Sequence, residues 1–121
     1  MKKKILIIED EDAIARAEGL VLEGNYDIVF AKDGDTGLDM AKKHRPDLII
    51  LDLMLPKRGG YDVCYNIRQD PKLAKTKIIM VTAKNLPIDR EKGIFIGADH
   101  YITKPFEPEE LLTAVKTHIK P

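Results

Sequence analysis

Apolar positions along the chain gather into five short runs separated by stretches of a different period. The runs are Ile5–Ile8, Tyr26–Ala31, Leu48–Leu51, Ile78–Val81 and the weaker Tyr101-Ile102. Three of them are continuous rather than alternating, and they are rich in Ile and Val. Strands covered on both faces of a parallel sheet have this pattern. The weaker second and fifth runs suit edge positions.

Helical spacing fills the gaps between the runs. Ala13, Ile14, Ala17, Leu20 and Val21 form one apolar stripe, with Gly24 where a C-terminal cap would stand. Leu38 and Ala41 follow the turn residues Asp33-Gly34-Asp35, and Pro46 blocks continuation. Val63, Cys64 and Ile67 mark a third helix between Gly59-Gly60 and Asp70-Pro71. Pro87 is placed to open a fourth, which Gly97 would close. Pro108 opens a fifth, carrying Leu111, Leu112, Val115 and Ile119 on one side.

Strand and helix therefore alternate five times, without linker, low-complexity tract or repeat. This order predicts an α/β fold: a five-stranded parallel sheet with right-handed crossovers and helices on both faces. A length of 121 residues corresponds to one domain at roughly 150 residues per domain, so residues 1–121 are expected to form a single unit. Open sheets of this kind bind ligands beyond the carboxyl ends of their strands.

Composition narrows the function. Twenty basic and twenty acidic side chains cancel, which leaves no global attraction to nucleic acid or anionic lipid. Cys64 is the one cysteine and cannot form an internal disulfide. The start Met1-Lys2-Lys3-Lys4 resembles the basic region of a signal peptide, but Ile5–Ile8 is too short an apolar segment before Glu9-Asp10-Glu11-Asp12. No stretch approaches the roughly 18 apolar residues of a membrane span. A cytoplasmic protein that binds neither nucleic acid nor membrane by itself is expected.

The strand ends carry the chemistry. Glu9 and Asp10 follow the first run, Asp52 the third, Thr82 the fourth, and Lys104-Pro105 the fifth. Singly, each has a plain structural reading: helix cap, turn residue, surface hydroxyl, turn. A parallel sheet brings them to one edge, where three carboxylates, a hydroxyl and an ammonium converge. Adjacent carboxylates raise one another's pKa unless a cation compensates. An all-oxygen site with room for water suits Mg²⁺, a metal that favours phosphate-bearing partners. A carboxylate can also act as a nucleophile and form an aspartyl-phosphate. Phosphoryl transfer then asks for alignment and neutralisation of oxygen charge by metal and lysine.

Four motifs together resemble the receiver domain of two-component response regulators, and the resemblance covers the whole chain. They are Ile5-Leu6-Ile7-Ile8-Glu9-Asp10-Glu11, Pro46-Asp47-Leu48-Ile49-Ile50-Leu51-Asp52, Val81-Thr82-Ala83 and Gly97-Ala98-Asp99-His100-Tyr101-Ile102-Thr103-Lys104-Pro105-Phe106. The resemblance implies a flavodoxin-like sheet of order 2-1-3-4-5. It implies that Asp52 is the phosphoacceptor, forming 4-aspartylphosphate in a Mg²⁺-dependent reaction, with Mn²⁺ as a possible substitute. Asp10, Asp52 and the backbone carbonyl of Met54 would bind the metal directly. Glu9, standing where the family usually has aspartate, would act through water. Thr82 and Lys104 would hold phosphoryl oxygens. Tyr101 would turn inward as Thr82 moves, with small Ala83 leaving room, and the Lys104-Pro105 peptide would be cis.

The implied partners are a sensor histidine kinase or phosphotransfer protein, and then an effector or second copy. The latter would dock on the face of the fourth helix, fifth strand and fifth helix. The chain would be a stand-alone regulator or the receiver of a larger one, switched by its own phosphoryl transfer and slow dephosphorylation. One loop departs from the family pattern: Leu55-Pro56-Lys57-Arg58-Gly59-Gly60 lacks an acid and is expected to make the cleft's rim more basic. Cys64 lies in an apolar stripe and is assigned to the core. His44, His100 and His118 show no ligand spacing, which indicates neither a zinc site nor a phosphohistidine relay.

Two other functions fit the fold class less well. A Mg²⁺-dependent phosphohydrolase of the haloacid-dehalogenase type would pass through the same aspartyl-phosphate, but it needs an acid where Met54 stands and a cap over its substrate. A flavin-binding module would want a Ser/Thr/Gly-rich phosphate loop after the first strand, where Glu9-Asp10-Glu11-Asp12 would repel a phosphate.

Overall fold

A computed structural model describes residues 2–121; Met1, first residue of the signal-like start, lies outside the described residues. Strands and helices alternate as β1 (Lys4–Ile8), α1 (Asp12–Leu22), β2 (Asp27–Ala31), α2 (Gly34–His44), β3 (Leu48–Leu51), α3 (Gly60–Gln69), β4 (Lys77–Thr82), α4 (Pro87–Ile96), β5 (His100–Thr103) and α5 (Pro108–His118). The strands form one parallel sheet of order β2-β1-β3-β4-β5. The two weakest apolar runs are the two edges, because an edge strand covers less of its surface than a central one.

Alternate side chains of the central strands feed two cores. Leu6, Ile8, Ile49, Leu51, Ile78 and Met80 meet Leu38 and Ala41 of α2 and Val63, Cys64 and Ile67 of α3. Ile5, Ile7, Leu48, Ile50, Ile79 and Val81 meet Leu22 of α1 and Leu111, Ala114 and Val115 of α5. Since both faces are covered, the strands need apolar residues at every position, which explains the unbroken runs. Helix ends follow local chemistry. The Asp33 carboxylate accepts from the N–H of Thr36 at 2.7 Å to start α2, and prolines occupy the first turns of α4 and α5. Among the residues of α4, only Gly93 is buried; a Cβ there would come within 2.7 Å of the Met80 sulfur and 3.2 Å of the Tyr101 ring.

Helix α1 corrects the expected stripe. Glu18, Gly19 and Leu22 are its buried residues, while Ala13, Ala17 and Leu20 face solvent. Ile14 and Val21 lie at the boundary. The helix turns this way because Phe30 of β2 lies over Gly19, where a Cβ would be 2.9 Å from the ring. That close approach rotates Leu20 outward. Gly24 is not a left-handed cap either: Glu23, in right-handed helical conformation, ends the helix.

Candidate functional site

Parallel strands end together, so Glu9, Asp52, Thr82 and Lys104 meet at one edge of the sheet. The Asp52 N–H donates to the carbonyl of Ile8 at 3.1 Å and extends the β1–β3 pairing one step past β3. Its carboxylate thus emerges beside the end of β1. Gly60 closes the far side, and a side chain there would run into the Asp52 carbonyl. The Lys104 N–H likewise donates to the Thr82 carbonyl at 2.8 Å, and the following peptide to Pro105 is cis.

Lys104 Nζ donates to Glu9 Oε1 at 2.6 Å and to Asp52 Oδ2 at 2.9 Å. The remaining oxygens take backbone donors: Asp52 Oδ1 accepts from the Met54 N–H and Glu9 Oε2 from the Glu11 N–H, both at 3.1 Å. Glu9 is 2% and Asp52 5% exposed, whereas Asp10 opens to solvent. One carboxylate oxygen from each of Glu9, Asp10 and Asp52 lies within 4.8 Å of the others. Three hard oxygen donors, two buried and one open, fit a hard divalent cation that keeps part of its water.

The electrostatics differ between the two buried acids. Burial pushes Glu9 up to about 7, against the bonds from Lys104 and the Glu11 N–H. Burial also opposes ionisation of Asp52, but Lys104 and the Met54 N–H outweigh it and hold the carboxyl below its ordinary range. Asp52 is therefore the ionised acid at neutral pH, as a nucleophile must be.

Glu18 is the residue that sequence reasoning missed. It is 1% exposed, and its Oε1 has no hydrogen-bond partner. Burial, then the charge of Glu9, pushes its pKa up to about 8, so it is neutral at pH 7. The available signal was its spacing from Ala15 and Leu22, three and four residues away on the face that packs on the sheet.

The other expected positions divide. Thr82 is fully buried, its Oγ1 accepting from the Lys84 N–H at a long 3.4 Å. Tyr101 stands already inward, 3% exposed, with its hydroxyl donating to the Lys84 carbonyl at 2.8 Å. The inward position is thus available without a phosphoryl group. Lys57-Arg58 does not make a free basic rim. Arg58 pairs with Asp35 and Asp62, each at 2.8 Å, and Lys57 lies 3.9 Å from Asp33. Asp33 before α2, Asp35 on α2 and Asp62 on α3 absorb the charge. Cys64 is core, its thiol pushed up to about 11 by burial.

The sequence model of the response regulator receiver domain matches residues 5–116. The chain belongs to that family. Receiver domains are the phosphorylated, Mg²⁺- or Mn²⁺-binding parts of two-component response regulators, and they interact with histidine kinases and downstream effectors. This receiver domain is 42% identical over 121 residues to the alkaline phosphatase synthesis transcriptional regulatory protein PhoP of Bacillus subtilis, covering 99% of this chain and 50% of PhoP. It spans about half the length of the curated relatives it matches. A crystal structure from Chloroflexus aurantiacus J-10-fl, described as a response regulator, superposes with a TM-score of 0.94 at 35% identity, all of both chains being covered. The receiver domain of the sensor histidine kinase PA1611 from Pseudomonas aeruginosa PAO1, with a magnesium ion coordinated in its active-site cleft, gives 0.90 at 29%, again over both whole chains. Among the described residues, no helix is long and apolar enough to cross a membrane.

Proposed function

We propose that residues 1–121 act as one receiver domain whose Asp52 accepts a phosphoryl group from a sensor histidine kinase or phosphotransfer protein in the cytoplasm. The observation that carries this reading is the Asp52 carboxylate itself: ionised, at the end of the central strand, with an ammonium on one oxygen and two more carboxylates within 4.8 Å. An Asp52 oxygen attacks phosphorus as the P–N bond of a phosphohistidine breaks, and the electron pair and a proton remain with the donor imidazole. Glu9, Asp10, Asp52 and the Met54 carbonyl would hold Mg²⁺, Glu9 through water. When bound, Mg²⁺ neutralises charge on the phosphoryl oxygens and lets an anionic donor approach three acids. Lys104 pairs with a second phosphoryl oxygen, leaving Glu9 as it does so. Thr82 follows a third, and the Tyr101–Lys84 bond carries that shift to α4 and β5.

Two surfaces serve partners. An apolar groove lined by Ile14, Ala17, Leu20, Pro105 and Phe106 runs up to Lys104, so a phosphodonor protein seated there has its reactive group beside Asp52. Ile88, Ile94 and Phe95 of α4 are exposed and suit an effector or second copy on the α4-β5-α5 face. The phosphohydrolase alternative has no such support, since Met54 stands where its acid would be and is itself 59% exposed.

The test is phosphoryl incorporation from acetyl phosphate, followed by intact mass and hydroxylamine sensitivity. Wild type with Mg²⁺ should gain one hydroxylamine-sensitive phosphoryl group, lost on chelation and in Asp52→Asn. Equal labelling of D52N would overturn the assignment.

A further inference from the structure

The fold brings together two histidines that lie far apart along the chain. His100 opens β5 and His118 ends α5. Their ring centroids stand 5.8 Å apart, with the planes crossed at 63°. A shallow cavity of about 340 Å³ adjoins His100, lined also by Glu109, Glu110, Thr113, Ala114 and Thr117. Glu110, Ala114 and His118 follow one another at four-residue intervals on one face of α5. They span about 12 Å of helix axis, so Glu110 lies about two turns away from His118.

We propose that His100 and His118 together bind an imidazole-preferring divalent transition metal, of the zinc, nickel or copper class, with water completing its shell. The separation of the rings carries the argument. Imidazole nitrogens hold zinc at about 2.0–2.1 Å, which puts each ring centroid roughly 3.2 Å from the metal. Two such rings have centroids about 5.2 Å apart at a tetrahedral angle and about 5.8 Å apart when the angle opens to roughly 130°. The pair therefore stands within about 0.6 Å of tetrahedral ligation, and rotation about χ2, a broad torsion, aims the nitrogens.

Protonation favours the same outcome. Burial pushes His100 below its ordinary pKa, with His118 and Arg90 adding to this and Glu110 acting against it. His100 therefore offers a lone pair at neutral pH without first losing a proton. Imidazole also separates this site from the acidic cluster at the other end of β5: Mg²⁺ selects the carboxylates, while zinc, nickel and copper select the histidines. The bound ion ties the start of β5 to the end of α5.

Zinc titration of the intact chain near neutral pH, in excess Mg²⁺ to fill the acidic cluster, tests this through the imidazole nitrogen resonances. At one equivalent, the His100 and His118 rings should shift together. His44, whose Nδ1 lies 3.4 Å from Lys4 Nζ, should not move. His118→Gln should weaken zinc binding at least about tenfold, and Glu110→Gln, about two helical turns from His118, should leave it nearly unchanged. Zinc moving only one of the two rings, or neither, would overturn the proposal. So would an H118Q variant, with a native amide spectrum, that binds zinc as wild type does. The ring resonances of wild type decide the matter even if that variant does not fold.

Discussion

Each end of the parallel sheet joins a basic side chain to carboxylates, and the two junctions are built in opposite ways. At the amino end, Arg68 donates to Gly97 O at 2.9 Å, Ala74 O at 3.1 Å, Thr76 O at 2.6 Å and Asp99 Oδ2 at 2.9 Å. The same Asp99 oxygen takes the Ile78 N–H at 2.8 Å. One cation meets one anion, and carbonyls take the remaining donors. At the carboxyl end, a single ammonium serves Glu9 and Asp52, Asp10 adds a third carboxylate beside them, and Glu18 lies buried with an oxygen unpartnered. A balanced junction has nothing to gain from a ligand. An acid-rich one is stabilised by any cation it captures, and this surplus of anionic oxygen distinguishes a binding site from a staple.

Removing the basic residue from each end tests that contrast most strongly. Lys104→Met leaves buried carboxylates without their cation and should cost about 3 kcal/mol in metal-free buffer. Saturating Mg²⁺ should restore a large part of it. Arg68→Met should cost about 2 kcal/mol through its lost carbonyl and Asp99 bonds, with no recovery on adding Mg²⁺. Urea denaturation of both variants with and without the metal reads the difference; equal rescue of the two would erase the distinction between the ends.

Within the carboxyl end, the acids should rank by their access to the metal. Asp10→Ala should weaken Mg²⁺ binding at least about tenfold, and Glu9→Ala less if its contact passes through water. Calorimetric titration gives both values. A larger loss from Glu9→Ala would make Glu9 the direct ligand.

The smallest effect concerns Glu18. Its pKa rises from about 4.5 to about 8 in the fold, so between those values the unfolded chain has released a proton that the folded one keeps. Its contribution to stability is full below about 4.5, falls as pH rises through that window and levels off above about 8. Glu18→Gln should flatten this decline and so be the more stable protein at the alkaline end. Melting curves across the window, with Mg²⁺ saturating so that Glu9 stays constant, measure it. Parallel curves for the two proteins would mean that Glu18 is already ionised.

The order and kind of every element were legible because burial on both faces of a parallel sheet writes itself as unbroken apolar runs. Likewise Pro87, Pro108 and Asp33 act on their own backbones, so they mark helix starts without reference to the rest of the chain. The strand-end residues Glu9, Asp10, Asp52, Thr82 and Lys104 were legible for a related reason: parallel strands share one end, which turns positions after each run into neighbours in space.

Rotation, pairing and separation were decided only by the tertiary structure. The face that α1 buries depends on Phe30 passing over Gly19, a contact no helical period contains, and so Glu18 enters the core while Leu20 stays outside. Arg58 loses its free charge partly to Asp62, four residues on, but also to Asp35 of α2, which only the fold brings near. Tyr101 turns inward because Gly93 leaves space and Lys84 offers a carbonyl. His100 and His118 become neighbours because α5, seated on α1 and β4, runs back toward the start of β5. Local sequence fixes what each backbone segment becomes, since those interactions span a few residues; which side chains then meet depends on how whole elements rotate and seat, and those are set by contacts between residues far apart in the chain.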